Sequence, residues 1–418
     1  MDIKELKKRV RLKERISADA VFEGGMLINV ETRELYQADV AIWEDTIVKI
    51  GDCRAVTGQD TRRIDVSGKY IAPGFINSCA NIERSELALP GYGNEVLHQG
   101  VTTTVLNTEK LQKVIGKNGT EALLLESQTM PEDYLEFPED SDSTFPRTKE
   151  ECLKNLRQGC HVIVSTAVPD WKELLHIIMQ YGTESGKMML AFPDISLKQL
   201  TDKEGILSCM NEMIQMGLDP VEIIQMVTVN PARFWQLSDR GSILPGKIAD
   251  LVVLDQIFPL GISQTYKCGK ESRPSEIPRS GLSQIFFPGL SMMEVEENDG
   301  YVPPKRVHIY QDQRNLLKQT GAIAFSKGQE VYVLAGRKQD AAVAANRVAK
   351  NRGGSCMVCC EKVVAQLVMS VAGGLSECES AISLLQEKES FEKAVYSYFQ
   401  VSEADIKNEI ERRAEEWH

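Results

Sequence analysis

The run Gly68-Lys69-Tyr70-Ile71-Ala72-Pro73-Gly74-Phe75-Ile76-Asn77-Ser78-Cys79-Ala80-Asn81-Ile82-Glu83-Arg84-Ser85 carries a short apolar segment, Tyr70 to Ile76, with glycine and proline around it. Its length and its turn-forming flanks predict a buried strand rather than a helix. Asn77 to Ser85 is the polar exit from that strand, and functional side chains are expected at such an exit.

Working outward, 418 residues with 42% apolar composition predict a globular chain of two to three domains, at roughly 150 residues each. A formal charge of -12 and a pI near 5.2 argue against nucleic acid or an anionic membrane as partner, since both favour a basic face. Met1 to Val10 is charged and lacks the apolar centre of a signal peptide, and no later run approaches a membrane span. Ten cysteines scattered without a framework spacing fit reduced thiols, so the expected compartment is the cytoplasm. The five histidines are His98, His161, His176, His308 and His418.

Lys4 to Ile16 has the spacing of a surface helix, and Ile16 to Ile64 breaks into short β-rich runs at Met26–Val30, Ala38–Trp43 and Thr46–Ile50. Gly241 to Asp255 repeats this pattern of a turn followed by an apolar strand. Between these flanks strands and helices alternate, as in a parallel sheet or barrel. Helices are expected over Glu86 to Gln99, Glu109 to Thr129 with a break at Gly116 to Gly119, Lys149 to Gln158, and Asp170 to Tyr181. Strands are expected at Val101–Leu106, His161–Ser165 and Lys187–Phe192. Asp219-Pro220 and Asn230-Pro231 each read as a capping side chain before a first-turn proline. Pro131 to Pro146 reads as an acidic loop, and residues 257–305 as an irregular connection. About four barrel strands stand between Ile71 and Asp250, whereas a complete eightfold barrel takes roughly 250 residues.

Pro73-Gly74-Phe75-Ile76-Asn77 resembles the first barrel strand of the amidohydrolase superfamily, in which PGFID precedes a metal-binding His-x-His pair. Here that pair reads Cys79-Ala80-Asn81. The segments Val331–Gly336, Asp340–Val348, Gly353-Gly354 and Val371–Ser376 closely resemble the C-terminal domain of adenine deaminases. The resemblance implies an α/β fold: a truncated or incomplete amidohydrolase (TIM-type) barrel over 71–239, a small flanking β-sandwich from 1–70 completed by 240–256, and a C-terminal α/β domain over 306–418.

Hydrolytic deamination needs a metal to acidify water and a carboxylate to shuttle protons. The resemblance implies a divalent ion (Mn, Fe or Zn), with Cys79 and Asn81 at the first two ligand positions and Glu83 and Asp194 as the surviving carboxylates. A thiolate is a sound zinc ligand, but an amide is a weak one, and three protein ligands are not assembled. A polar cluster that the family carries before Val331 is replaced by Ser326-Lys327-Gly328-Gln329-Glu330. His161 and His176 read as packing residues, and Cys356, Cys359 and Cys360 as buried thiols on a strand. The expected function is therefore an adenine-deaminase-like homologue without its metal centre, binding a purine or other small molecule. It would act as a binding or regulatory partner, in a homo-oligomer or with a full-length homologue. The alternative is a working hydrolase of adenine or a related cyclic amidine with a site rebuilt from Cys79, Glu83 and Asp194.

Overall fold

In the computed structural model, which describes residues 17–127, 132–136, 143–181, 185–202, 205–272, 307–318, 321–327, 330–369, 375–376 and 380–415, the run Tyr70 to Ala80 is two strands. Tyr70–Pro73 belongs to a flanking sheet and Phe75–Ala80 to the barrel-like layer. Gly74 is the pivot between them. Its N–H donates to the Asp250 carbonyl at 2.8 Å, and a Cβ there would collide with the Thr102 side chain. Only glycine lets the chain pass so close to both segments. The helix expected over Lys4 to Ile16, the stretch Val371 to Gly374 and most of the connection before 306 lie outside the described residues.

The flanking layer packs a sheet ordered Thr46–Gly51, Asp39–Trp43, Ala20–Glu23, Arg62–Asp65 against one ordered Lys270–Glu271, Leu260–Lys267, Leu251–Ile257, Tyr70–Pro73, Met26–Asn29, Glu34–Gln37. Phe22, Ile42, Ile71, Leu251 and Tyr266 share its core, with Phe22 and Tyr266 edge to face at 4.7 Å. The second sheet corrects the reading of 257–305 as irregular, because strands continue to Glu271. Gly261, Ser263 and Gln264 interrupt the apolar alternation there and hide the strand from pattern reading.

The barrel-like layer holds two parallel three-stranded sheets. One is Asp133–Glu136, Val101–Leu106 and Phe75–Ala80; the other is Ser143–Thr144, His161–Ser165 and Met188–Ala191. Asn77, buried, joins them: its Nδ2 donates to the Phe192 carbonyl at 3.2 Å, and the Phe192 N–H donates to its Oδ1 at 3.0 Å. The six strands thus run in one curved order, and no closed barrel forms among the described residues. The expectation of about four strands is corrected to six, the extra two lying inside the stretch read as an acidic loop, where Asp133 and Glu136 mask the pattern. Thr108–Ser127 is one helix without the expected break. Asp219 caps Pro220–Met226 by accepting from Val221 N at 2.8 Å. Asn230 does not cap; it lies inside Val229–Phe234, and its Nδ2 donates to the Met188 carbonyl at 2.9 Å.

The third layer is a five-stranded sheet ordered Val307–Gln311, Glu330–Ala335, Gly321–Lys327, Gly354–Cys359, Lys362–Val368. The alanine-rich helix Lys338–Lys350 covers one face, and Phe391, Phe399, Ile406 and Ile410 of the two last helices join the main core with Ile323 and Phe325. The strand stops at Cys359, so only Cys356 is buried, while Cys359 is half-buried and Cys360 exposed. This domain docks directly behind the exit of Phe75–Ala80. Ser376 N donates to the Glu86 carbonyl at 2.7 Å, and the Lys388 ammonium donates to the Glu86 carboxylate at 2.7 Å. No described helix is long and apolar enough to cross a membrane.

Buried charge fixes the N-terminal ends of the barrel strands to the flanking layer. Lys267 Nζ donates to Asp133 Oδ2 at 2.5 Å and to Asp250 Oδ2 at 2.6 Å, and Arg240 pairs with Asp133 and donates to Thr103 Oγ1 at 3.0 Å. Burial raises the Asp133 carboxyl, but the Lys267 and Arg240 charges outweigh it and hold it below the usual range. Replacing Lys267 by Met would leave buried carboxylates facing each other, and is expected to cost about 3–5 kcal/mol in urea unfolding; a loss near zero would show the network to be idle.

Next to Asp133, Glu132 is fully buried, accepts from Thr104 Oγ1 at 2.5 Å, and is pushed up by burial to about 8. A carboxyl raised on folding stabilises fully below its unfolded pKa and loses that contribution as pH rises through the folded one. Unfolding free energy is therefore expected to fall between about pH 4.5 and 8, and Glu132→Gln is expected to flatten that slope in pH-resolved denaturation.

Candidate functional site

Four parallel strands end at one cavity of about 510 Å³. Asn81 follows Phe75–Ala80, Asn107 and Lys110 follow Val101–Leu106, Ser165 closes His161–Ser165, and Asp194 follows Met188–Ala191. Phe145 and Arg147 close the rim from beyond Ser143–Thr144. This is the face on which parallel α/β folds gather functional side chains, because the loops there all leave the sheet in the same direction.

Of the four residues expected from sequence, Cys79, Asn81 and Asp194 line this cavity together. Cys79 sits in an apolar cluster with Ile163, Met189 and Ala191, and burial pushes its thiol up to about 12. Burial favours the neutral thiol at neutral pH, which is a poor nucleophile. Asn81 is 4% exposed. Its Nδ2 donates to Asp194 Oδ1 at 2.6 Å, and its N–H donates to the Pro193 carbonyl at 2.8 Å. A carboxylate accepts only, so the amide nitrogen must face Asp194, which leaves the buried Asn81 Oδ1 with no hydrogen-bond partner.

Glu83 is not among the lining residues. It sits on the 3-10 turn Ile82–Arg84, half-buried, with Oε2 unpartnered and its carboxyl raised by burial. Around Asp194 two cations stand at the limit of pairing, Arg84 Nε at 3.9 Å and Lys110 Nζ at 4.0 Å. The sequence reading missed Asn107, Lys110, Phe145 and Arg147; their only signal is position, just past the end of a parallel strand.

The donor set does not fit the divalent ion that the family pattern implies. A catalytic site of this kind needs about three protein ligands, whereas here one position holds a protonated thiol and the second an amide already bonded to the remaining carboxylate. Among the described residues no group of three or more His, Cys, Asp or Glu side chains converges on a point. The described histidines stand elsewhere: His161 begins its strand at the opposite end and packs on Phe234 at 4.7 Å, His176 is exposed on Trp171–Tyr181, His98 binds the Asn94 carbonyl, and His308 stacks on Tyr332.

Residues 158–287 match the Amidohydrolase family, and residues 314–403 match the Adenine deaminase C-terminal domain. Adenine deaminase 1 of Carboxydothermus hydrogenoformans is 24% identical over 355 residues, covering 62% of this chain and 59% of that one. Adenine deaminase of Methanococcoides burtonii is 22% identical over 503 residues, covering 87% and 86%. Among solved structures, a β-aspartyl dipeptidase of Fervidobacterium islandicum AW-1 overlaps 62% of this chain and 97% of that chain at 12% identity and a TM-score of 0.48. Against the first relative the chain spans about three fifths of that protein's length. The two family matches and the adenine deaminase relatives support an adenine-deaminase-like amidohydrolase family member, in keeping with a frame whose first strand carries Pro73 to Asn77 and whose strand exits converge on Asn81 and Asp194.

Proposed function

We propose that this chain is a non-catalytic, purine-binding relative of the adenine deaminases, in which an amide–carboxylate pair stands where the family pattern places a metal. The observation that carries this reading is the 2.6 Å bond from Asn81 Nδ2 to Asp194 Oδ1. It engages one N–H of the amide and one carboxylate oxygen, and among the described residues no group of three or more His, Cys, Asp or Glu side chains converges to hold a metal. A protonated Cys79 beside them supplies no nucleophile.

What remains is recognition chemistry. The Asp194 carboxylate is an acceptor at the cavity floor, with the buried, unpartnered Asn81 Oδ1 beside it, and Phe145 offers a ring at the rim. An acceptor beside an aromatic face suits a planar heterocycle that presents an N–H donor. The adenine of the relatives' names carries such a donor in its exocyclic amino group.

One observation favours a rebuilt hydrolase instead. Burial raises the Glu83 carboxyl, as suits a general acid. The two readings separate on turnover. Purified chain given manganese, iron or zinc is expected to retain well under one metal per chain and to release no ammonia from adenine. Stoichiometric metal together with ammonia release that Asp194→Ala abolishes would overturn the binding role in favour of the hydrolase.

A further inference from the structure

Resting on that reading of the cavity, we propose that its natural ligand is an anionic purine derivative, a nucleoside monophosphate, rather than the free base. The observation is a pair of cations on the cavity lining, Arg147 without a side-chain partner among the described residues and Lys110 at the outer limit of pairing with Asp194. Arg147 lines the cavity, is exposed, and makes no side-chain hydrogen bond or ion pair among the described residues. Lys110 also lines it and reaches only Asp194, at 4.0 Å.

The chain as a whole is acidic, with a formal charge of -12, whereas the cavity lining balances two cations, Lys110 and Arg147, against two carboxylates, Asp170 and Asp194. Asp170 is the one further carboxylate on this rim, and no ion pair joins it to either cation among the described residues. The floor, by contrast, carries the Asp194 carboxylate as acceptor, beside the buried and unpartnered Asn81 Oδ1. The lining thus offers both an acceptor for hydrogen-bond donors and cations for an anion. A purine base alone satisfies only the first; a phosphate joined to it through a ribose satisfies both, with Arg147 suited to bidentate contact and Lys110 acting as a point charge. The volume agrees. About 510 Å³ lies within the roughly 300–1,000 Å³ typical of pockets for ligands larger than a lone bicyclic ring.

Calorimetric titration of the full chain with adenine, adenosine 5′-monophosphate and ribose 5-phosphate tests this. The monophosphate is expected to bind at least about tenfold more tightly than adenine, and ribose 5-phosphate more weakly than the monophosphate. In the Lys110→Gln/Arg147→Gln double variant, with its circular dichroism and thermal midpoint matched to the wild type, the ratio of monophosphate to adenine affinity is expected to shrink below about threefold. Equal affinity for adenine and the monophosphate in the wild type would overturn the anionic ligand and leave the purine-binding reading standing. Ribose 5-phosphate binding as tightly as the monophosphate would reduce the site to a phosphate cradle and overturn the proposal. Failure of all three to bind would overturn the purine-binding reading itself.

Discussion

Asn77 carries the join on which the rest of the structure depends. A parallel layer needs each strand's backbone groups satisfied by a neighbour, yet Phe75–Ala80 and Met188–Ala191 meet without a ladder. The Asn77 amide replaces it, giving Phe192 both a donor and an acceptor in a buried setting. An apolar side chain at that position would leave a buried N–H and a buried carbonyl unpaired, each a loss of about 1–3 kcal/mol. Because the amide also fixes how far Pro193 and Asp194 stand from Asn81, the same contact that holds the two sheets together sets the floor of the cavity.

The two ends of the layer divide the work. At the N-terminal ends, Lys267 and Arg240 hold Asp133 and Asp250 in a nearly closed set of charge-assisted bonds that ties barrel strands to the flanking sheets. At the C-terminal ends the polar groups are only partly satisfied: Asn81 Oδ1 and Glu83 Oε2 lack partners, and Lys110 and Arg84 stand near the outer limit of ion pairing. Buried polar groups are ordinarily paired, and the unpaired atoms at this face adjoin a cavity. The C-terminal domain reinforces the asymmetry by clamping Glu86 through Ser376 and Lys388, which anchors the turn that carries Glu83 and Arg84.

The sequence made the frame legible for a definite reason. Pro73, Gly74, Phe75 and Ile76 combine an apolar run with a glycine that no other residue replaces at the crossing between sheets, and such constraints leave a mark on sequence. The alternation of strands and helices from Val101 to Ala191 was legible on the same grounds. Asp133–Glu136 and Leu260–Lys267 were not, because short or polar-interrupted strands owe their existence to neighbours rather than to their own pattern. The candidate site divided likewise: Cys79, Asn81 and Asp194 could be placed by their offset from a recognisable strand, whereas Lys110 and Arg147 become neighbours only after strands distant in sequence end at one face.

The pairing of Asn81 with Asp194 ties two strand exits together at the cavity floor. Burial, with a smaller contribution from the nearby Asp194 charge, raises the Glu83 carboxyl, and positive charge nearby offsets such a rise. Here the offset is distributed. The Asn81 amide supplies a hydrogen bond without charge, Arg84 and Lys110 supply charge without close contact, and the buried Glu83 carboxyl is displaced toward its neutral form. Each of these is weaker than a metal–ligand bond, and none polarises water toward hydroxide. The arrangement keeps the geometry of a strand-exit site, and under the binding role proposed above it is the cavity's shape and its polar groups that would do the recognising.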